Sequence, residues 1–193
     1  MRVEALMLTL LLASALAAPL AASDPLPLQE AALAAEAGWP LQRVWIHIDK
    51  SDHVLTLHAG DVAVKRYQTG LGDPAGDKVQ QGDRKTPEGT FRVVTRNPQS
   101  RFHLFLGLSY PMTEDAKRGQ EDGLISEAQA RRIREADAAR RQPPWNTTLG
   151  GAIGIHGNGG SSDWTLGCIA VDDDEIEELW GVVKMGTKVV IEP

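Results

Sequence analysis

The sequence has a single cysteine, Cys168, among 193 residues. One thiol forms no internal disulfide. With five scattered histidines it gives no metal-ligand spacing, which excludes a zinc site built on thiolates. No metal or other cofactor is expected. Positive charge is also short: 20 Lys and Arg stand against 26 Asp and Glu, a formal net charge of -6. This excludes the basic footprint of a nucleic-acid binder. There is no internal repeat. A long apolar run occurs at the amino terminus, over Leu6 to Leu16, and it is too short to span a bilayer as a stable helix.

That run fits a secretory signal over residues 1–23. Arg2 supplies the positive end, and small residues follow the apolar run, with cleavage after Ala17 or after Ser23. Residues 24–42, rich in Ala and Pro, are expected to form a linker with one short helix. Residues 43–193 form the domain. The mature chain of about 170 residues has single-domain size. No stable membrane insertion is expected once the signal is removed. An exported protein meets an oxidising compartment, where a leftover cysteine is either a dimer link or a reactive thiol.

Cys168 lies in a stretch with the residues a reactive thiol needs. Ile153 to Val171 reads I-G-I-H-G-N-G-G-S-S-D-W-T-L-G-C-I-A-V. His156 stands twelve positions before the cysteine, and glycines flank both. A thiolate nucleophile needs a base, an open approach and backbone donors for an oxyanion. Taken singly, a cysteine is usually a small buried hydrophobe and a histidine a hydrogen-bonded structural residue. The exported context favours the pair.

Around this stretch the chain is rich in strands. Val44 to His58 alternates about a polar Asp49–Asp52 turn and reads as a hairpin. Val62 to Thr69, Phe91 to Thr95, Arg101 to Leu108, Ala152 to Ile155 and Lys188 to Ile191 are further strands. His47, His53 and His58 fall on the hairpin and are taken as structural. Gly70 to Glu88 is a long polar loop. Ser126 to Arg141 reads as a helix, with Ser126 and Gln129 as a capping box. Its arginines make it a charged surface helix, or a lid that offers cations to a carboxylate. Asp172 to Val183 reads as a second helix with acidic residues at its amino end.

Three motifs occur in order: Thr86-Pro87-Glu88-Gly89-Thr90-Phe91, Ile155-His156-Gly157 and Thr165-Leu166-Gly167-Cys168-Ile169. Together they resemble the L,D-transpeptidase catalytic domain family, also called YkuD, over about Val44 to Ile191. The segment Arg101 to Pro111, with F-H-L-F-L-G-L-S-Y-P, resembles its YafK-like branch. The resemblance implies a mainly β fold: a β-sandwich of mixed sheets with a helical insertion or lid and a helix after the cysteine. It implies Cys168 as nucleophile, His156 as proton donor and acceptor, and Gly157 and Gly167 at the orienting and oxyanion positions. Thr165, Arg84, His103 and Tyr110 are candidate substrate-binding residues. The implied partners are peptidoglycan stem peptides, and the implied place is the periplasm or cell envelope.

Many members of this family carry Arg two residues after the cysteine, where this chain has Ala170. A guanidinium binds a carboxylate bidentately and alanine does not. Arg84, Arg101 and the basic helix are the candidates to replace it. The implied reaction is cleavage of the bond between meso-diaminopimelate at position three and D-alanine at position four, through a thioester. An amine acceptor gives a 3-3 cross-link. Water gives an L,D-carboxypeptidase or an endopeptidase that cuts stem peptides or wall–protein links. Outside catalysis, the alternatives are a peptidoglycan-binding module and a redox thiol protein.

Overall fold

The computed structural model describes residues 23–73 and 75–193. The signal expected over residues 1–23 lies outside them, apart from Ser23. Eight strands form one curled mixed sheet, in the order β3-β2-β1-β8-β4-β5-β6-β7. β1 (Val44–Asp49) and β2 (Val54–Ala59) form the expected hairpin, and β3 (Val62–Gln68) continues the antiparallel ribbon. β8 (Lys188–Glu192) is last in sequence but central in space. It lies parallel to β1 and antiparallel to β4 (Gly89–Ser100), with Val189 and Ile191 buried.

β4 is where the sheet curls. Its first residues, Gly89 to Arg92, pair with β8, and the rest pair with β5 (His103–Leu108). The β4–β5 register shifts twice, and Pro98, which has no N–H to give, falls at the second irregularity. The strand runs to Ser100, beyond the expected end at Thr95, because β5 continues to pair with it. β6 (Gly154–His156) follows β5 antiparallel, and the two-residue β7 (Ile169–Ala170) closes the order in parallel with β6.

The curl encloses one apolar core. Ile46, Ile48, Leu55, Leu57, Leu106 and Leu108 enter it from the strands, and Ile176, Leu179 and Val183 from α4 (Asp173–Val182) and its end. Asp172 caps α4, with Glu175 completing the capping box. Residues 24–42 run along this domain. α1 (Leu28–Ala34) buries Leu28 and Ala32 in the core, and Lys65 Nζ donates to the Leu26 carbonyl at 2.7 Å.

The insertion between β5 and β6 contains two helices. α3 (Glu127–Ala138) begins at Ser126, with the expected capping box to Gln129. α2 (Thr113–Glu121) has no counterpart in the sequence reading. Its sequence, T-E-D-A-K-R-G-Q-E, buries Asp115, Ala116 and Gly119 and has no apolar stripe to read. The pair has its own small core of Ala116, Ile125, Ala130, Ile133 and Leu149. Asp137 ties the pair to the sheet by an ion pair with Arg92 of β4, and it joins the two helices by accepting from Thr113 Oγ1 at 2.6 Å.

A buried lysine holds the long loop before β4. Lys50 is 1% exposed, and its Nζ donates to Glu88 Oε1 at 2.6 Å, the Gly76 carbonyl at 2.8 Å and the Thr86 carbonyl at 3.3 Å. Lys50→Met leaves these acceptors without their donor. It is expected to cost about 2–3 kcal/mol in urea unfolding, below the full loss of a buried pair because Glu88 is partly exposed. A loss under about 0.5 kcal/mol, the size of an ordinary surface change, would show that Lys50 does not hold the loop.

Candidate active site

The short β6–β7 ladder brings the two motif residues together. Ile155 pairs with Ile169 and His156 with Ala170, in parallel. Strand side chains alternate between faces, so Gly154, His156 and Ala170 share one face, and Cys168 enters β7 on it. Cys168 and His156 both line a cleft of about 520 Å³.

A three-residue brace sets the turn before Cys168. The Thr165 hydroxyl accepts from the Gly167 N–H at 3.1 Å and donates to the Cys168 carbonyl at 2.8 Å. This explains a hydroxyl residue three positions before Cys168. Gly167 has φ +120°, and a Cβ there would lie 2.5 Å from the Lys85 carbonyl oxygen. Any other residue would be strained in conformation and would push the turn off the loop behind it. The Gly167 N–H is engaged by Thr165. The Cys168 N–H has no partner among the described residues.

His156 is 1% exposed, and its Nδ1 lies 2.8 Å from the Gly157 carbonyl. A carbonyl only accepts, so Nδ1 carries the proton and Nε2 is bare in the neutral ring. Phe102 stacks on the imidazole at 4.6 Å and 21°, and Trp164 meets it edge-on at 5.5 Å. Burial in this aromatic box pushes the imidazole pKa below its usual value, and the Gly157 bond only partly opposes that.

The Cys168 thiol donates to the Ala152 carbonyl at 3.5 Å. Burial pushes its pKa up to about 11, against the lowering effects of the Gly154 N–H and the Lys78 charge. At neutral pH the resting pair is therefore a thiol and a neutral imidazole.

The remaining candidates are placed unequally. Thr165 is in the cleft wall, with its hydroxyl committed to the backbone brace. Gly157 supplies the carbonyl that orients His156, and its own N–H donates to the Phe102 carbonyl at 3.0 Å. Arg84 is exposed on the long loop and does not line the cleft. His103 faces away from it, paired with Glu177 at 2.7 Å. Tyr110 is fully buried, and its hydroxyl donates to the Leu149 carbonyl at 3.0 Å. No residue of α3 lines the cleft. Its Arg131 and Arg134 pair with Glu135 and Glu127. Arg101 does line it.

His47 and His53 pair with Glu192 and Asp163, each at 2.9 Å, and His58 stacks on Trp45 at 4.1 Å. Sequence reasoning missed Phe102, Trp164 and Ala152. Trp164 lies four residues before the cysteine in a chain with 5% aromatics, and that scarcity was the available signal.

The model of the L,D-transpeptidase catalytic domain, YkuD, matches residues 43–191. The chain belongs to this family. Among solved structures it is similar to the helical cell shape determining protein Pgp2 from Campylobacter jejuni. The two are 25% identical with a TM-score of 0.51, over 77% of this chain and 47% of that one. Bdellovibrio bacteriovorus Bd1075 is similar at 21% identity and a TM-score of 0.51, over 80% of this chain and 49% of that one. This family member thus spans about half the length of each of these two structures. No curated protein sequence matches it.

Proposed function

We propose that this chain is a cysteine-dependent L,D-transpeptidase of the cell envelope. It cleaves the bond between the L-centre of meso-diaminopimelate and D-alanine in a tetrapeptide stem. The observation that carries this reading is the thiol of Cys168 and the bare Nε2 of His156 lining one cleft. The match to the family and the likeness to a cell-shape protein support it.

Nε2 takes the thiol proton as sulfur attacks the carbonyl carbon. The Cys168 N–H receives the developing oxyanion. The C–N bond then breaks, the proton on Nε2 passes to the leaving amine, and D-alanine departs from a thioester. An acceptor amine attacks the thioester, releases the thiol and forms a 3-3 cross-link. Hydrolysis of the same thioester is the second reading. Leu166, beside Cys168, is 73% exposed, so this side of the cleft mouth is open to water. Among the described residues no helix is long and apolar enough to cross a membrane. Placement in the periplasm rests on the expected signal and on the substrate.

The test is incubation of the mature protein with disaccharide tetrapeptide, with products resolved by mass. Cross-linked dimer with loss of D-alanine is the expected result. Tripeptide monomer alone would make the protein an L,D-carboxypeptidase. No product and no mass on Cys168 would remove tetrapeptide cleavage and leave cleavage of existing 3-3 or wall–protein links as the next enzymatic test, with the binding module after it.

A further inference from the structure

We infer that Arg101 binds the free α-carboxylate of the amino acid that leaves, and so selects donors with an unblocked carboxyl end. This rests on the peptide-cleaving reading above. Arg101 stands on the turn between β4 and β5, exposed at the rim of the cleft. Its guanidinium lies 4.7 Å from the Phe102 ring centroid, and Phe102 stacks on His156 at 4.6 Å. Cation, phenyl ring and imidazole therefore form one column along the cleft wall. Stacking on the ring orients the guanidinium and leaves its N–H edges free for a planar anion.

Charge points the same way. With His156 and Cys168 both neutral at rest, Arg101 is the residue of the cleft lining that bears a formal charge. It pairs with no carboxylate among the described residues, a state it shares with surface arginines such as Arg84, but among the described arginines only Arg101 lines the cleft. β7 offers no cation. Ala170 is fully buried, and its N–H and carbonyl are both bonded to Gly70, at 2.8 and 2.9 Å. An unpaired cation over an otherwise neutral, aromatic cleft fits an anionic substrate group.

The position of the column decides which carboxylate that is. His156 returns its proton to the leaving amine, so the leaving residue lies on the His156 side of the thiol. Arg101 sits on that side, through Phe102. In a terminal amino acid the α-carboxylate is two bonds from the amine nitrogen. A residue whose carboxyl is amidated or extended lacks this anion.

The experiment compares disaccharide tetrapeptide ending in free D-alanine with the same compound ending in D-alanine carboxamide. The wild-type protein is expected to favour the free acid by about 10-fold in kcat/KM, the low end for a charge-assisted bond to an exposed guanidinium. Arg101→Ala is expected to bring the ratio near one. Arg101→Lys is expected to keep part of it, since the ammonium retains charge and loses the bidentate fork. The ratio is independent of the fraction of protein that folds. A wild-type ratio near one, or a ratio that survives in Arg101→Ala, overturns the inference. Turnover of neither donor by the wild-type protein, with no mass on Cys168, overturns the peptide-cleaving reading and the inference with it.

Discussion

Cys168→Ala is expected to abolish turnover of disaccharide tetrapeptide while the protein keeps its fold. The sulfur is the atom that would bond to the acyl carbon, and alanine offers no nucleophile. Loss of an enzyme nucleophile costs about 10⁴-fold or more in rate. The stability cost is small, because the turn is set by neighbours and not by the thiol. The Thr165 hydroxyl still bridges the Gly167 N–H and the Cys168 main-chain carbonyl, and Ile169 and Ala170 still pair with β6. What disappears is one long S–H contact to Ala152, at 3.5 Å, and one sulfur at a half-buried site. About 1 kcal/mol or less is expected in urea unfolding. Intact-protein mass after incubation with a carbapenem gives an independent readout: wild-type protein gains the mass of the adduct and the variant does not. Residual turnover within about 10-fold of wild type would place the chemistry elsewhere, since no side-chain nucleophile loss is that mild.

Much of this site was legible because its determinants are local. The glycines, Thr165, Cys168 and His156 lie within one short stretch, and the family motif names them by spacing. The β1–β2 hairpin was legible by alternation, α3 by the Ser126 capping box, and α4 by Asp172 and the acidic residues after it. The illegible parts depend on partners far away in sequence. Nothing in K-V-V-I-E says that β8 inserts between β1 and β4 instead of ending the sheet at an edge. β6 and β7 have three and two residues, too few for a period to show. Tyr110 reads as an aromatic with an available hydroxyl. Its acceptor, the Leu149 carbonyl, is supplied 39 residues later by the helical insertion. Arg84 and Arg101 are alike as residue types, both outside the strands, and it is the curl of the sheet that puts Arg101 at the cleft and leaves Arg84 in solvent. The segment 24–42, read as a linker from its Ala and Pro content, has Leu28 and Ala32 placed against the core.

His156→Gln is expected to slow acylation by about 10²- to 10⁴-fold and to change how the rate depends on pH. In the wild-type protein Nδ1 is committed to the Gly157 carbonyl, and in the proposed mechanism Nε2 accepts the thiol proton. Burial holds the imidazole pKa below its ordinary value near 6.5, so the ring remains a base through neutral pH. The rate should therefore be flat around neutrality and fall only as pH drops below that value, when protonation of Nε2 removes the acceptor. The thiol pKa of about 11 means that preformed thiolate contributes little to this plateau. Glutamine has no basic nitrogen, so the variant must wait for solvent to deprotonate Cys168. Its acylation rate should rise about tenfold per pH unit from neutrality toward the thiol pKa, as the thiolate fraction rises. Carbapenem adduct formation, followed by mass from pH 5 to 10, measures both profiles on the same bond-forming step. A variant that keeps the wild-type plateau would remove His156 as the base. A variant that is slow but still flat with pH would assign the proton to another group in the cleft.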